Sequence, residues 1–484
     1  MLIDNEAKEE FAGGAGAGLE GDWADLLEPR YLVSTIMLSL GVALFAFNEF
    51  FVSTAMPSAV KALGQPWLLA WAFTCYLVLA IVGGAIAAAM KERLGSRGTL
   101  TTATAVFVAG TVFACLAEHW AFLIGGRLLQ GLGEGTTIAL CYALIPELFP
   151  KRLVQKVFGV EAIAWAAAAF GGPLLAGLLT EHISWRAAFA SSLPPAAIFA
   201  TLVLVMVPQG ARSDKPAASV PLFRLSLVGA GILMISVSSI VSSQVLMSLL
   251  LVSAIALLGL FVGVDRRSAD AILPAAAFSV SRLPGTGFWV ILLMPLASSA
   301  GAVYLVYGLQ MIWGLSPTEA GISGALMALS WSFSGILVAT VKLGDARRLL
   351  AFVGPLLLVA GMAANTLALI VDQYWLIYPG QAIVGIGFGF SWGIINQLLM
   401  DRAPESERDK TATFVPTLQS AGYAVGGAVF GLIAGLAGLQ EGLAAEAARG
   451  VLVPVFLTGL GMAVIAAILG ARTAKLATGS DPDR

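Results

Sequence analysis

The chain contains long apolar segments that a soluble fold cannot bury. Residues 225–264 include no Asp, Glu, Lys or Arg. As helix, such a stretch is about 60 Å long, enough to cross a hydrocarbon core of about 30 Å twice. The 484 residues are 58% hydrophobic and only 12% charged, whereas soluble chains have about 45–50% and about 25%. The sequence therefore predicts an all-α integral membrane protein.

Fourteen segments are long and apolar enough to cross a membrane as helices of about 20 residues. They are residues 32–58, 68–90, 99–117, 120–146, 157–180, 187–207, 225–244, 246–264, 286–310, 317–341, 349–371, 374–400, 412–438 and 451–471. The seventh and eighth come from the uncharged stretch, where the polar cluster Ser242, Ser243 and Gln244 predicts a tight hairpin. Twelve spans with a central loop in place of the hairpin are the alternative, and we predict fourteen.

The basic residues predict the orientation of these helices. All but four of the 27 lysines and arginines lie in the termini and in alternate loops, which is typical of cytoplasmic segments. The exceptions are Lys61, Arg186 and Arg449 in the remaining loops and Arg127 within a span. We therefore expect both termini in the cytoplasm. Residues 1–31 are predicted to form an acidic, disordered tail without a signal peptide, and residues 473–484 a second tail.

Composition argues against several other classes of protein. The formal net charge of -2 leaves no basic surplus for binding nucleic acid. The three cysteines and two histidines are scattered, so they cannot build a disulfide framework or a zinc site. A G-x-x-x-x-G-K-[ST] phosphate loop is absent from the sequence, which argues against an ATP-driven pump. We expect no cofactor, no metal and no nucleic-acid partner.

An internal repeat relates the two halves of the chain. An offset of 254 residues aligns, without a gap, Gly126 with Gly380, Gly131 with Gly385, Gly133 with Gly387, Gly135 with Gly389, Pro150 with Pro404, Gly172 with Gly426 and Gly177 with Gly431. The repeat predicts six-helix bundles at residues 32–207 and 283–472, joined by a linker at 208–282 that holds the hairpin. Substrate would bind between the bundles at mid-membrane. Chance similarity between glycine-rich helices is the alternative.

Three motifs carry a resemblance to a known family. Residues 127–133 (RLLQGLG) resemble the fourth-helix motif of the major facilitator superfamily. Residues 172–177 (GPLLAG) resemble its antiporter motif in helix five, and residues 92–97 (ERLGSR) its loop between helices two and three. The chain is most similar to the fourteen-helix drug:proton antiporters. This resemblance implies a major facilitator fold of two six-helix bundles plus a central hairpin, which exports drug-like compounds by alternating access.

The chain also departs from the family pattern. Asn48, followed by Glu49, stands where many members have Asp, and Glu134 stands where a small residue is common. Glu92 replaces an Asp in the loop motif, and Ala176 replaces a glycine in the antiporter motif. These departures weaken the assignment of substrate.

Three ionisable residues inside spans are candidates for proton coupling, because a charge at the bilayer centre costs about 2.5–3.5 kcal/mol on insertion scales. They are Glu49, Arg127 and Glu134. At about 1.5 Å per residue, Glu49 and Arg127 lie at similar depth, so we expect them to face each other. Glu134 lies about 10 Å deeper without an obvious partner, and we predict that it exchanges the coupling proton. The alternatives are a structural pair that pins two helices, and a protonated packing residue at Glu134. Glu161 is interpreted as a gate or interface residue.

The C-terminal half offers polar and aromatic side chains but no Asp or Glu in mid-span. The repeat places Gln381 and Phe388 where the first half has Arg127 and Glu134. Candidate substrate-binding residues are Asn48, Gln130, Tyr304, Tyr307, Trp331, Gln381, Trp392 and Asn396. Ordinary packing or an interface belt is the alternative for the aromatic ones. The resemblance implies conformational roles for Glu92, Arg93, Gly95, Arg97, Gly172, Pro173 and Gly177, with Arg93 and Arg97 holding the outward-open form.

Together these observations predict a secondary active transporter and not an enzyme. We expect proton-coupled export of amphipathic or cationic drug-like compounds by a monomer in the cytoplasmic (inner) membrane. Its partners would be a small-molecule substrate, protons and the lipid bilayer. A proton-coupled transporter dedicated to one metabolite is the main alternative. A membrane-embedded enzyme and a transport-dead receptor are remote ones.

Overall fold

A computed structural model describes residues 23–207, 220–268, 270–340 and 349–478. These ranges are helical and contain no strand. The α-helices are α1 (Pro29–Leu63), α2 (Leu68–Cys115), α3 (Trp120–Leu148), α4 (Lys151–His182), α5 (Trp185–Ala190), α6 (Leu193–Met206), α7 (Leu222–Ser238), α8 (Gln244–Asp265), α9 (Leu283–Trp313), α10 (Pro317–Thr340), α11 (Leu350–Val371), α12 (Ile377–Arg402), α13 (Arg408–Leu436) and α14 (Ala445–Thr478).

Both predicted tails contain helix in the parts that the structure describes. Trp23–Leu27 forms a 3₁₀ helix whose Leu26 is buried, so only residues 1–22 of the first tail lie outside the described residues. At the other end, α14 continues to Thr478, beyond the predicted boundary at residue 472. Residues 479–484, the linker segment 208–219 and the loop 341–348 also lie outside the described residues.

Twelve helices in the described part of the chain are long and apolar enough to cross a membrane. The predicted count of fourteen is therefore not confirmed. Two elements account for the difference. Helix α2 counts once although its 48 residues are bent at Gly95 and the sequence predicts two spans there, and α7 has only 17 residues. The predicted hairpin turn lies between α7 and α8, at residues 239–243.

Helix α2 reverses direction at Gly95. This residue has a φ of 72° and a ψ of 167°, which are not helical and which glycine adopts readily because it lacks a Cβ. The two arms of α2 pack on either side of α3. The closest backbone approaches join Gly131 to Tyr76, Gly135 to Ala80, Gly126 to Gly110 and Gly133 to Ala103. Partner numbers rise along α3 for the first arm and fall for the second, so the arms run in opposite directions.

The same arrangement recurs in the second half with separate helices. Helix α12 packs against α10 with rising partner numbers and against α11 with falling ones. The approaches join Gly385 to Met327, Gly389 to Trp331, Gly380 to Gly361 and Gly387 to Gly354. Helices α10 and α11 thus take the places of the two arms of α2, and α12 that of α3. Four of the glycine pairs aligned by the repeat are thus positions of close backbone approach in both halves.

The two halves meet along two seams at the end predicted to face outward. Where α4 meets α10, a Cβ added at Gly177 would lie 2.6 Å from the Thr318 Cα. The Thr318 hydroxyl also donates a hydrogen bond of 2.7 Å to Glu181. Where α2 meets α13, a Cβ at Gly431 would lie 2.6 Å from the Ala70 Cβ. The two halves are therefore in contact at the end predicted to face outward, and the space between them is closed there.

The helices α7 and α8 form a hairpin beside the second seam, where α7 packs against both α2 and α13. The Trp71 indole of α2 donates to the Ser236 carbonyl of α7 at 3.1 Å. At the base of the hairpin, Arg224 and Asp265 form a buried ion pair of 2.7 Å. Because Asp265 also accepts backbone N–H groups from the following loop, its charge is compensated.

Gly131→Ala is expected to destabilise the fold. The added Cβ would lie 2.1 Å from the Tyr76 carbonyl oxygen, so helix α2 must move, and overpacking of this kind costs about 1–3 kcal/mol. The measurement is the thermal midpoint of the purified protein in detergent. Gly125→Ala on the same helix is the control, because its Cβ meets no atom within 4 Å. Equal midpoints for the two variants would contradict the packing described here.

Candidate functional site

A polar network lies buried inside the first half, between α1, α2 and α3. Its members include Arg127 (1% exposed), Glu134 (3%), Asn48 (0%) and Gln130 (0%). Arg127, Gln130 and Glu134 are three and four residues apart on α3, so they share one face of that helix. Asn48 comes from α1 and completes the group.

Arg127 is held by neutral groups. Its guanidinium donates to the Asn48 side-chain oxygen at 3.1 Å, to the Gln130 side-chain oxygen at 2.8 Å and to the Ala72 carbonyl at 3.1 Å. It also lies over the Tyr76 ring, 4.1 Å from the centroid. Four neutral groups thus surround a cation that would otherwise be costly to bury.

Asn48 and Tyr76, which both contact Arg127, also bind Glu134. The Asn48 amide nitrogen donates to Glu134 Oε2 at 2.6 Å, and the Tyr76 hydroxyl donates to the same oxygen at 2.8 Å. Asn48 therefore bridges Arg127 and Glu134, accepting from the cation and donating to the carboxyl group. One cation and one acid are thus separated by a single amide side chain.

The second oxygen of Glu134 has no hydrogen-bond partner among the described residues. This atom, Oε1, is buried. A cavity of about 10 Å³ adjoins this side chain, lined also by Gly41, Leu44, Thr104, Phe107, Thr137 and Phe199. A volume of about 10–15 Å³ holds one water molecule. Glu134 thus combines a fixed oxygen with one that is free to hold a proton.

Two expectations for these charges are wrong. Arg127 does not face Glu49, since its hydrogen bonds go to Asn48, Gln130 and Ala72. One residue further along α1 than Asn48, Glu49 is turned by about 100° around the helix axis and is half-buried. Glu134 was expected to lack a partner, and it has two. Depth along a helix does not fix rotation about its axis, so two residues at similar depth need not face each other.

Asn48 and Gln130, predicted to contact substrate, are placed in this network instead. Both side chains are fully buried, and Gln130 Nε2 donates to the Thr111 hydroxyl at 3.0 Å. Their polar atoms are therefore engaged with protein groups. Tyr76 was missed by the sequence analysis, although its hydroxyl was a visible polar group in an otherwise apolar span.

The candidates in the second half fall into two groups. Trp331 and Trp392 pack around Phe388, with ring centroids 4.6 and 6.0 Å from that of Phe388. Tyr304, Tyr307 and Gln381 are buried, and Asn396 is half-buried. Phe388 is the repeat equivalent of Glu134, so an aromatic cluster stands where the first half has its acid.

The residues with predicted conformational roles lie at two places. Gly177 and Pro173 are at the seam with α10, where the Pro173 carbonyl would lie 2.9 Å from a Cβ at Gly321. Gly172 faces α1, since its added Cβ would meet Phe47 and Phe50 at 3.4–3.5 Å. Glu92, Arg93, Gly95 and Arg97 lie at the bend of α2, where Arg93 is exposed and Gly95 makes the turn.

The family model of the major facilitator superfamily matches residues 38–427 of this chain. The chain belongs to the major facilitator superfamily. It is therefore a multi-pass membrane transporter and not an enzyme. The described residues contain no group of three or more His, Cys, Asp or Glu side chains that could hold a metal ion.

Relatives in this superfamily include proteins named for drug efflux. A probable multidrug-efflux transporter of Mycobacterium tuberculosis is 31% identical over 447 residues, covering 89% of this chain and 92% of the relative. Multidrug resistance protein 3 of Bacillus subtilis is 23% identical over 422 residues, covering 82% of this chain and 78% of that protein.

Solved structures share the fold at low sequence identity. A peptide transporter in complex with alafosfalin has a TM-score of 0.67 at 16% identity, covering 98% of this chain and 99% of the other. A D-xylose-proton symporter has a TM-score of 0.63 at 18% identity, covering 91% and 97%. These structures match the helical architecture described above.

Asn48→Ala is expected to lower the thermal stability of the protein. It removes the bridge between Arg127 and Glu134, and each buried group left unsatisfied costs about 1–3 kcal/mol. Asn365→Ala is the matched control, because Asn365 is also fully buried but neither of its amide atoms makes a hydrogen bond. The measurement is the thermal midpoint in detergent, and an equal loss in both variants would contradict a bridging role.

Proposed function

We propose that this transporter exports amphipathic or cationic drug-like compounds in exchange for protons, and that Glu134 carries the coupling proton. The observation that carries this proposal is the geometry of Glu134. The carboxyl is almost fully buried, one oxygen is fixed by Asn48 and Tyr76, and the other is free beside a cavity. An acid buried within a membrane span is by default a candidate for a functional role, because such a residue is costly to insert.

Proton binding changes the strength of the network. When Glu134 is ionised, its Oε2 accepts two hydrogen bonds from neutral donors to a charged acceptor, worth about 1.5–3 kcal/mol each. When it is protonated, the same bonds are of the neutral kind, worth about 0.5–1.5 kcal/mol each. The difference over two bonds is about 2–3 kcal/mol, enough to shift a two-state equilibrium about a hundredfold. Because the donors come from α1 and α2, this energy acts on the arrangement of three helices.

Arg127 sets the electrostatics without neutralising the acid outright. No hydrogen bond joins it directly to Glu134 among the described residues, and Asn48 and Tyr76 lie between the two groups, so the carboxyl can gain and lose a proton while the cation stays paired with neutral groups. A cationic substrate entering the site would favour the ionised acid and promote proton release. This competition provides the exchange of one ligand for the other.

The proposed substrate class is supported by two features. The Trp331, Phe388 and Trp392 cluster offers aromatic faces in the second half, and such faces suit flat apolar or cationic ligands. Relatives at 31% and 23% identity are named for multidrug efflux and multidrug resistance. A transporter dedicated to one metabolite remains the alternative and would be recognised by export of a single compound.

Glu134→Gln is expected to abolish proton-driven export. The amide retains the shape of the side chain but cannot release a proton, so an imposed pH gradient cannot drive exchange. Export of a fluorescent lipophilic cation from proteoliposomes is the measurement, and the expected rate is that of empty vesicles. Glu147→Gln is the control, since Glu147 is exposed and pairs with Lys91. A wild-type rate in Glu134→Gln would overturn the proposal.

Alternating access would proceed by opening the two seams. In this conformation the seams are closed at the end predicted to face outward, with Gly177 against Thr318 and Gly431 against Ala70. Glycine at these positions permits backbone contact, so the seams can close fully and still separate. The exposed Arg93 would engage neighbouring helix ends in the outward-open form.

Gly177→Leu is expected to shift the protein toward the outward-open form. Its side chain would occupy the space taken by the Thr318 backbone, 2.6 Å from the added Cβ, so the seam cannot close. Distances between spin labels at the outer ends of α4 and α10 are the measurement, and they should lengthen. Gly171→Leu on the same helix is the control, because a Cβ there meets nothing within 4 Å. Unchanged distances in Gly177→Leu would refute this assignment of the seam.

The topology that we propose has fourteen crossings and both termini in the cytoplasm. The two arms of α2 together contain 48 residues, or about 72 Å of helix, enough for two crossings of a hydrocarbon core of about 30 Å. These oppositely directed arms correspond to the separate helices α10 and α11, which supports two crossings there. Helix α7, paired with α8, would add one more. Two six-helix bundles (32–207 and 283–472) joined through a linker at 208–282, acting as a monomer in the cytoplasmic (inner) membrane, complete the proposal.

A further inference from the structure

A second acid lies buried in the first half, away from the network of Glu134. Glu161 on α4 is 1% exposed. Its Oε1 accepts a hydrogen bond of 2.9 Å from the Ser39 hydroxyl of α1. Its Oε2 is buried and has no hydrogen-bond partner in the part of the chain that the structure describes. The carboxyl group therefore has one neutral donor and one bare oxygen.

No cation compensates this carboxyl among the residues that the structure describes. Helix α1 contributes the Ser39 hydroxyl, and the titratable groups on the neighbouring part of α3 are Cys141 and Tyr142, neither of which is a cation. The Tyr142 hydroxyl is engaged as acceptor from the Trp165 indole at 3.0 Å. The basic group five residues earlier on α4, Lys156, has its ammonium over the Trp23 ring at 5.1 Å.

The packing of the fold does not require an acid here. The offset of 254 residues places Val415 of α13 at the equivalent position, and that side chain is also buried. An apolar residue fills the matching site in the second half. Burying a carboxyl group at Glu161 therefore costs free energy that burying an apolar side chain there would not cost.

The energetic consequence is that Glu161 must be neutral in this conformation. An ionised carboxylate removed from water costs several kcal/mol unless it is paired and fully hydrogen-bonded. A single hydroxyl does not meet that requirement, whereas the protonated acid needs no countercharge. Entry of water to this carboxyl group during the transport cycle would allow ionisation.

We propose that Glu161 is a second proton-binding site, so that each transport cycle exchanges two protons. This rests on the proposed function for the direction of the protons, but the site itself does not. Ser39 lies nine residues before Asn48 on α1, about 13–14 Å along the helix axis. Glu161 thus lies on the cytoplasmic side of Glu134, where it loads or releases its proton independently.

Infrared difference spectroscopy of the carboxylic acid band tests the site directly. Purified full-length protein in liposomes is taken from acidic to alkaline pH, and each buried acid that ionises loses a band. We expect Glu161→Gln to remove one band and Glu134→Gln another. Ser39→Ala should shift only the band that Glu161→Gln removes, because it deletes the one donor to Glu161. Bands unchanged in Glu161→Gln would overturn the proposal.

The charge moved per cycle tests the two-proton exchange. Export of a monovalent lipophilic cation against two protons is electrogenic, whereas export against one is electroneutral. We expect wild-type export to respond to an imposed membrane potential and Glu161→Gln export to respond only to the pH gradient. A response to potential that survives in Glu161→Gln would overturn two-proton coupling. Replacement of the pH gradient by a sodium gradient should drive no export, and sodium-driven export would overturn proton binding.

These outcomes separate the two proposals. If Glu134→Gln exports at the wild-type rate, the proposed role of Glu134 fails, while the infrared bands still decide whether Glu161 binds a proton. If the infrared band of Glu161 is absent, the second site fails, while proton-driven export through Glu134 stands. Glu147→Gln serves again as the exposed control.

Discussion

The buried guanidinium of Arg127 is the constraint on which the first half of the structure depends. A permanent charge inside a membrane helix is costly unless polar or aromatic groups compensate it. Here the partners come from three helices: Asn48 on α1, the Ala72 carbonyl and Tyr76 ring on α2, and Gln130 on α3 itself. Satisfying one side chain therefore fixes the relative positions of α1, α2 and α3.

The same arrangement creates the site for chemistry. Asn48 is an amide, so it can accept from the cation and donate to Glu134 at once. An aspartate at this position would pair with Arg127 as a carboxylate and could not donate to Glu134 while ionised. Because the amide does not titrate, Glu134 remains the acid of the network that can gain or lose a proton. The Asn48 side chain also connects this acid to Arg127 through its two hydrogen bonds. The structural and functional roles of the network are carried by the same few contacts.

Glycine packing allows α3 to come close enough for this network to form. The Cβ positions at Gly131 and Gly135 fall 2.1 Å from carbonyl oxygens of α2, a separation that another residue cannot occupy. The second half keeps the equivalent contacts at Gly385 and Gly389 but replaces Glu134 by Phe388. The close glycine packing is therefore common to both halves, whereas the acid at this position is present in the first half and an aromatic residue takes its place in the second.

The sequence by itself determined the membrane class and the superfamily, because apolar length and motif spacing are properties of the linear chain, but it did not settle the number of spans. It also identified Arg127 and Glu134 as buried charges of the spans. It could not determine their partners. Depth along a helix follows from residue number, but contact depends on rotation about each axis and on how closely neighbouring helices approach. For this reason only the tertiary structure replaced Glu49 by Asn48 beside Arg127, brought in Tyr76, and paired Glu161 with Ser39.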